Sequence, residues 1–127
     1  HSFPTRRSSD LTSSAAKTID RIVDVFPAGE KEMVRSMLSE SLRAVISQSL
    51  LKTKDESARI AAHEIMIGTP AIRNLIRENK IAQINSMIQT GQQHGMQTLD
   101  QCLQELVRHG HVSVQEARSK ASNKDAF

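Results

Sequence analysis

Residues 59–78 have the sequence RIAAHEIMIGTPAIRNLIRE, and the fold depends on the change from strand to helix inside this stretch. The segment from Arg59 to Ile67 is rich in apolar residues, which predicts a β-strand that ends at Gly68. Thr69 followed by Pro70 is a strong start signal for a helix, because the hydroxyl caps the first turn and proline fits the first helical position. The stretch therefore predicts a strand, a break and a helix in direct succession.

The partner of this strand is predicted immediately upstream. Leu50 to Thr53 is a short apolar run, and the polar residues Lys54 to Ser57 separate it from the strand at Arg59 to Ile67. Two such runs joined by a short polar turn are typical of a β-hairpin. His63 and Glu64 are neighbours in the second strand, so their side chains are expected on opposite faces and do not form a dyad.

Helical periodicity surrounds the hairpin, so the predicted fold class is mainly α with one β-hairpin. Besides the helix at Pro70 to Arg77, helices are predicted over Ser14 to Phe26, Glu30 to Gln48, Lys80 to Thr90, Thr98 to His109 and Ser113 to Ala121. The second of these has one long apolar stripe, formed by Met33, Val34, Met37, Leu38, Leu42, Val45 and Ile46. The last two begin with capping-box spacing. The final residues, Ser122 to Phe127, are expected to fray.

The composition is that of an ordinary soluble domain of 127 residues, 38% of them hydrophobic and 24% charged. Aromatic residues make up only 2%, which disfavours single-strand nucleic-acid binders, because those proteins stack bases on rings. The single cysteine, Cys102, excludes an internal disulfide and lies on the apolar stripe of its predicted helix, so a core role is expected. A net charge of +3 is too small to indicate a polyanionic partner by itself.

Motifs for catalysis, cofactor binding and metal binding are not predicted in this chain. Its five glycines are too scattered to build a phosphate-binding loop. His109 and His111 flank Gly110, and a metal site would need more ligands than these two. The expected catalytic, cofactor and metal residues of the chain are therefore none.

The helix predicted from Pro70 to Arg77 has an unusual charge pattern. Arg73 and Arg77 stack at i, i+4, which costs about 0.2–0.5 kcal/mol, and Arg73 also lies near the positive end of the helix. Two interpretations are open: a docking face for an acidic partner or a neighbouring subunit, or an ordinary face whose arginines pair with carboxylates of the same chain. The apolar residues expected to anchor the helix are Ala71, Ile72, Leu75 and Ile76.

A small helical nucleic-acid-binding module is the alternative function, with Thr98 to His109 as its recognition helix. That helix offers only Arg108 as a cation and also carries Asp100 and Glu105. Recognition helices use Lys and Arg for phosphate contacts, so the helix is poorly suited to this role. A third interpretation is a fragment whose apolar faces and hairpin edge are partly exposed and promote aggregation.

The first eleven residues, HSFPTRRSSDL, have neither a helical nor a strand period and resemble the translation of a sequencing adapter. Residues 1–11 are therefore expected to be a foreign or disordered tail, and residues 12–127 the folded segment. A natural polar arm, with Arg6 and Arg7 as a weak phosphate patch, is the other interpretation.

The octet AIRNLIRE, Ala71 to Glu78, is preceded by AAHEIMIGTP and resembles a signature of the type IV pilus retraction ATPases. These proteins are the twitching-motility branch of the secretion-ATPase superfamily. Further segments resemble the same family in the same order: SAAKTIDRIVDVFP (Ser14 to Pro27), MVRSMLSESLRAVISQ (Met33 to Gln48) and MQTLDQCL (Met96 to Leu103). The resemblance covers essentially Thr12 to Phe127.

The resemblance implies the C-terminal portion of a RecA-like α/β P-loop ATPase domain, within a hexameric motor that couples ATP hydrolysis to pilus disassembly. It implies ATP and Mg²⁺ in the whole protein, homo-hexamer contacts, and pilus platform proteins of the inner membrane as partners. It also implies a cytoplasmic position at the pilus base, without nucleic acid and without membrane insertion. In the family the octet is tied to retraction, so the predicted site residues are Ala71, Ile72, Arg73, Asn74, Leu75, Ile76, Arg77 and Glu78.

The resemblance also limits what the chain is expected to do alone. In the family, the phosphate loop, the acidic boxes and the histidine box all precede the matched segment. Leu11 and Thr12 stand where the family has Leu-His-Thr, so only Thr12 remains from the histidine box. ATP hydrolysis by this chain alone, and a cofactor bound to it, are therefore not expected.

Overall fold

The structure is a computed structural model that describes residues 14–127. Its main elements are α1 (Ala15–Asp24), α2 (Lys31–Ser41), β1 (Ala44–Lys52), β2 (Arg59–Ile67), α3 (Pro70–Arg77), α4 (Ile84–Gln89), α5 (Leu99–Arg108) and α6 (Val114–Lys120). Short 3₁₀ helices lie at Ala28–Glu30, Ile81–Gln83, Gln92–His94 and Lys124–Ala126. The prediction of a mainly helical chain with one β-hairpin is confirmed. The proposed tail and Thr12 lie outside the described residues.

The two strands form an antiparallel hairpin whose register runs from the pair Ala44–Ile67 to the pair Lys52–Arg59. The predicted bounds of the second strand are confirmed, whereas the first strand is longer than expected and begins at Ala44. Asp55 closes the turn, because its carboxylate accepts hydrogen bonds from the backbone N–H and the hydroxyl of Ser57. These bonds lower the pKa of Asp55 to about 2.

The helix predicted over Glu30 to Gln48 is wrong in its second half. The structure ends α2 at Ser41, and Leu42 has an extended backbone. Val45 and Ile46 continue the helical stripe in sequence, but they also belong to a period of two in which Ser47 and Leu51 are buried and Ile46 is exposed. Pairing with β2, a partner distant in sequence, decides between the two periods, because strand preference depends strongly on such tertiary context.

The outer surface of α2 also departs from the prediction. Met33 and Met37, which the stripe assigns to the core, are 56% and 57% exposed. Val34 is buried and Leu38 packs partly against the core, so the buried face of the helix is narrower than the sequence indicates. On β1, Ile46 and Leu50 are exposed as well. The expectation of partly exposed apolar faces is therefore confirmed for Met33 to Ile46 and wrong for Ile72 to Ile76, because Ile72 and Ile76 are fully buried.

Two groups of buried apolar residues lie side by side on the same face of the hairpin, and β2 contributes to both. The first, called cluster 1, lies beneath α1, α3 and α4 and comprises Ala15, Ile19, Met66, Ile72, Ile76, Ile81, Ile84, Ile88 and Met96. The second, called cluster 2, lies beneath α5 and α6 and comprises Leu51, Ala62, Leu99, Leu103, Val112, Ala117 and Ala121. Glu64 stands between Ala62 and Met66 on the buried face of β2, at the boundary of the two clusters.

The C-terminal helices begin with hydroxyl caps, as predicted. Thr98 and Gln101 form a complete capping box, in which each side chain bonds the backbone of the other residue. Ser113 accepts from the backbone N–H of Glu116. The Glu116 carboxylate does not close a second box but accepts from the backbone N–H of Lys52 in β1 at 2.8 Å. The carboxylate therefore joins α6 to the hairpin.

The predicted fraying after Ala121 is wrong. Both carboxylate oxygens of Asp100 accept backbone N–H groups there, from Ser122 at 2.8 Å and from Asn123 at 2.9 Å. A 3₁₀ helix follows, and Phe127 packs partly against cluster 2. A carboxylate from another helix thus supplies the acceptors that the local sequence lacks. Within residues 14–127, every helix is too short to reach across a lipid bilayer.

Candidate functional site

The octet predicted as the functional motif forms α3 and its first residue beyond the helix. Thr69 caps the helix by accepting from the backbone N–H of Ile72 at 3.3 Å, and Pro70 occupies the first turn. Ile72 and Ile76 are fully buried in cluster 1, and Leu75 packs partly against it. The helix is therefore anchored from behind by branched apolar side chains.

Ala71 does not share in this anchoring. The structure exposes it to solvent, although the sequence assigned it to the buried face with Ile72 and Ile76. The apolar face of α3 is therefore narrower than predicted and consists of Ile72, Ile76 and the partly buried Leu75. Alanine tolerates either environment, so the sequence alone does not specify its orientation.

Gly68 brings the start of α3 very close to the end of α2. Its backbone N–H donates to the carbonyl oxygen of Arg43 at 2.8 Å. A Cβ atom at this position would lie 2.4 Å from the carbonyl oxygen of Leu42, so no larger residue fits without a backbone shift. The two turns at the base of the hairpin are therefore locked together at a glycine.

Arg73 takes part in this junction and does not project freely. The side chain is half-buried, and its Nε donates to the carbonyl oxygen of Gly68 at 2.9 Å. Its Nη1 lies 3.5 Å from the carbonyl oxygen of Glu40, near the end of α2. Carbonyl oxygens thus offset the unfavourable position of a cation in the first turn of a helix.

Arg77 behaves differently from Arg73. It is exposed, and none of the residues from 14 to 127 holds it in a hydrogen bond or an ion pair. Its position in the last turn is favoured by the helix dipole, so the helix itself tolerates this cation. Asn74 and Glu78 are exposed beside it, and we call Asn74, Arg77 and Glu78 the α3 outer face. Of the two arginines expected to point outward, Arg73 is therefore bonded within the fold, whereas Arg77 is free within the described residues.

Glu64 is a feature that the sequence analysis did not identify as structurally important. Its side chain is only 4% exposed, and each carboxylate oxygen accepts a backbone N–H: Oε2 from Ala15 at 2.6 Å and Oε1 from Leu99 at 3.1 Å. The sequence does contain one signal for a buried Glu64: its neighbours on the same face of the strand, Ala62 and Met66, are both apolar. As predicted, His63 lies on the other face of the strand.

The histidine and cysteine residues form no reactive constellation. Cys102 is partly buried, packs against cluster 2 and accepts weakly from the backbone N–H of His63. His109 lies 3.3 Å from Glu105, which also pairs with Arg108, and these contacts lower the pKa of Glu105, the hydrogen bond from Arg108 most strongly. No set of three or more metal-binding side chains occurs in the described part of the chain.

The cleft beside Glu64 does not suit a nucleotide. The cleft beside Glu64, about 520 Å³ in volume, contains two carboxylates and several amides but neither Lys nor Arg. The backbone N–H groups of Gly68 and Gly91 are not free to bind a phosphate, because each already donates to a backbone carbonyl oxygen. A triphosphate needs free N–H groups and cations, so this cleft provides no cradle for it.

Comparison with known proteins gives close matches along most of the chain, although no protein-family model matches it. The chain is 69% identical over 116 residues to a twitching motility protein of Neisseria gonorrhoeae, covering 91% of this chain and 31% of that protein. It is 67% identical over 116 residues to the type IV pilus retraction ATPase PilT of Pseudomonas aeruginosa, covering 91% and 33%. The chain thus spans about a third of the length of these relatives.

Solved structures give the same result for the fold. A crystal structure of the pilus retraction motor PilT with bound ADP matches with a TM-score of 0.79 and 39% sequence identity. The match covers 91% of this chain and 32% of that one. The mainly helical fold with its hairpin is therefore that of the C-terminal part of such an ATPase domain. These similarities offer no support for the nucleic-acid-binding alternative.

Proposed function

Since this chain belongs to the family of the type IV pilus retraction ATPases, we propose that it forms the C-terminal part of a hexameric motor that retracts type IV pili. The motor couples ATP hydrolysis to pilus disassembly and so drives twitching motility. ATP and Mg²⁺ bind to the rest of the whole protein, because the family's phosphate loop and acidic boxes precede the segment that this chain matches. The motor lies at the cytoplasmic side of the pilus base, with inner-membrane platform proteins as its partners.

The role we propose for the segment from Ala71 to Glu78 is mechanical coupling. The observation that carries this role is the exposed Arg77, which has no partner among residues 14–127 although the helix behind it is firmly anchored. A cation presented on a rigid helix suits an acidic surface on a platform protein or a neighbouring subunit. Asn74 and Glu78 complete this contact, while Arg73 holds α3 against the end of α2.

A chimera tests the proposal. Residues 14–127 would replace the matching segment of the Pseudomonas aeruginosa relative, and the chimera would be expressed in cells that lack their own retraction ATPase. We expect twitching to be restored. Hexamers that fail to retract pili, although they assemble and hydrolyse ATP, would contradict the proposed function.

A pair of matched variants then tests the coupling role. Arg77→Glu reverses the charge of the α3 outer face and is expected to reduce retraction speed at least tenfold, because it turns attraction to an acidic partner into repulsion. Lys120→Glu is the control, since Lys120 is also an exposed cation in the last turn of a helix. The control is expected to retract normally. Normal retraction by Arg77→Glu would overturn the coupling role while leaving the motor assignment intact.

Arg73→Glu is also expected to abolish retraction, but for a different reason. The substitution loses the bond to Gly68 and places a carboxylate among carbonyl oxygens. Its melting temperature should therefore fall, whereas that of Arg77→Glu should not. The two measurements together separate a structural arginine from a coupling arginine.

A further inference from the structure

A buried carboxylate connects three parts of the fold at a single point. Glu64 lies on β2 between cluster 1 and cluster 2 and faces the first backbone N–H groups of α1 and α5. These helix starts are far apart in sequence, at Ala15 and Leu99, and each is fixed to a different oxygen of the same side chain. The carboxylate thus holds both helices against one strand.

The two N–H groups depend on Glu64 because other acceptors are already used. Ser14 caps α1 by accepting from Lys17, and Thr98 caps α5 by accepting from Gln101. Ala15 and Leu99 are themselves buried, so their N–H groups need an acceptor supplied by the fold. A negative charge at two helix N-termini is also favoured by both helix dipoles.

The position of α3 follows from this arrangement. The strand that carries Glu64 leads through Ile67 and Gly68 directly into α3. The buried faces of α1 and α3 meet in cluster 1, through Ile19, Ile72 and Ile76. An element that fixes α1 against β2 therefore contributes to the placement of the α3 outer face through this shared core, together with the junction of Gly68 and Arg73 with the end of α2.

We propose that Glu64 is a positioning residue that ties the starts of α1 and α5 to β2 and thereby aims the α3 outer face at its partner. This role rests on the proposed function of the chain as part of a retraction motor. Glu64 touches neither nucleotide nor partner, and its effect on retraction is exerted through the placement of α3. Loss of the carboxylate should uncouple ATP hydrolysis from movement without lowering hydrolysis.

Hydrogen exchange on the full 127-residue chain tests the geometric part. Glu64→Gln keeps the size of the side chain, but it replaces one acceptor with an NH₂ donor and makes the remaining hydrogen bond neutral instead of charge-assisted, so both bonds are weakened. We expect the amides of both Ala15 and Leu99 to exchange at least tenfold faster. Asp100→Asn is the matched control, because Asp100 also accepts two backbone N–H groups, and it should accelerate only Ser122 and Asn123.

Unchanged exchange at either Ala15 or Leu99 in a folded Glu64→Gln chain would overturn the proposal. If that variant does not fold, Glu64→Asp gives a milder perturbation, since it keeps the charge and shortens the reach. It should accelerate both amides by less than the glutamine variant. Acceleration at only one of them would overturn the proposal as well.

The chimera tests the functional part. Glu64→Gln in the chimera is expected to hydrolyse ATP within twofold of the unmodified chimera and to lose at least 80% of its retraction speed. Asp100→Asn should retain both activities even if it lowers the melting temperature by a similar amount. Equal losses of hydrolysis and retraction would reduce Glu64 to a purely structural role and overturn the proposal. Failure of the unmodified chimera to retract would instead refute the proposed function.

Discussion

Helices α3 and α5 are built to the same plan and differ in what they do with their charges. Each begins with a threonine cap, at Thr69 and Thr98. In each, the second residue after the end of the helix has a left-handed backbone, at Asn79 with φ of 59° and at Gly110 with φ of 77°. Each also buries apolar side chains completely, in cluster 1 and in cluster 2 respectively.

The charges of α5 are satisfied within the fold. Arg108 pairs with Glu105, His109 lies beside the same carboxylate, and Asp100 holds the C-terminal backbone. On α3, by contrast, Arg77 has no such partner among residues 14–127. The two helices therefore differ in whether the arginine of the last turn has a partner in the described fold. The comparison separates a helix that completes the domain from one that presents a surface, and it also argues against α5 as a recognition helix.

The largest expected effect tests whether the two helices are equally well anchored. Ile76→Ala and Leu103→Ala each remove a fully buried branched side chain. Both are expected to lower the free energy of unfolding by about 2–5 kcal/mol, because each leaves a cavity as well as lost burial. Urea denaturation checks this. A loss below 1 kcal/mol for Ile76→Ala alone would mean that α3 is only loosely attached, and the comparison would fail.

A somewhat smaller effect is expected at Gly68, in the close junction between the start of α3 and the end of α2, which has no counterpart at α5. Gly68→Ala places a Cβ against the carbonyl oxygen of Leu42 and should cost about 1–3 kcal/mol through the forced backbone shift. Gly29→Ala is the control, because a Cβ at Gly29 meets no atom within 4 Å. Thermal melts of the two variants should differ clearly. Equal melting temperatures would show that the close approach has no energetic weight.

The N-terminal caps of α3 and α5 should contribute different amounts to the free energy of unfolding. Thr69→Ala removes a single hydroxyl cap and is expected to cost about 1 kcal/mol. Thr98→Ala removes one half of a reciprocal capping box, leaves Gln101 without its orienting partner, and should cost about 1.5–2 kcal/mol. Denaturant midpoints of the two variants check the order. A larger loss at Thr69 would contradict it.

The smallest effect concerns pH and belongs to α5 alone. The hydrogen bond from Arg108 lowers the pKa of Glu105 below its usual 4.5. Because the pKa is lower in the folded state, the contribution of Glu105 to stability is present above pH 4.5 and is lost as the pH falls through the folded value. An NMR titration of Glu105 should have its midpoint below 4.5, and Arg108→Ala should raise it. An unchanged midpoint in Arg108→Ala would contradict the assigned cause.

Local signals predicted the elements that local chemistry decides. The cap at Thr69, the helix from Pro70 to Arg77 and the second strand from Arg59 to Ile67 are all confirmed. The signals for these elements lie within a few residues of one another. Hydroxyl caps, proline and glycine act on the nearest backbone groups, so a single sequence is enough to interpret them.

The failures all involve contacts between residues far apart in sequence. Val45 and Ile46 fit a helix until β2 pairs with them, and the last residues of the chain appear free until Asp100 is placed beside them. The division of Arg73 from Arg77 depends on carbonyl oxygens of Glu40 and Gly68. The role of Glu64 needs two helix starts that only the folded chain brings together. Each case requires knowledge of tertiary neighbours.

The sharing of β2 between two cores has a consequence for how the chain melts. Ala62 belongs to the core under α5 and α6, Met66 to the core under α1 and α3, and one short strand carries both. Neither half can detach without stripping apolar surface from the strand that the other half still occupies. The strand therefore makes the parts of the chain built on cluster 1 and on cluster 2 a single cooperative unit. Unfolding of one part while the other stays folded is disfavoured.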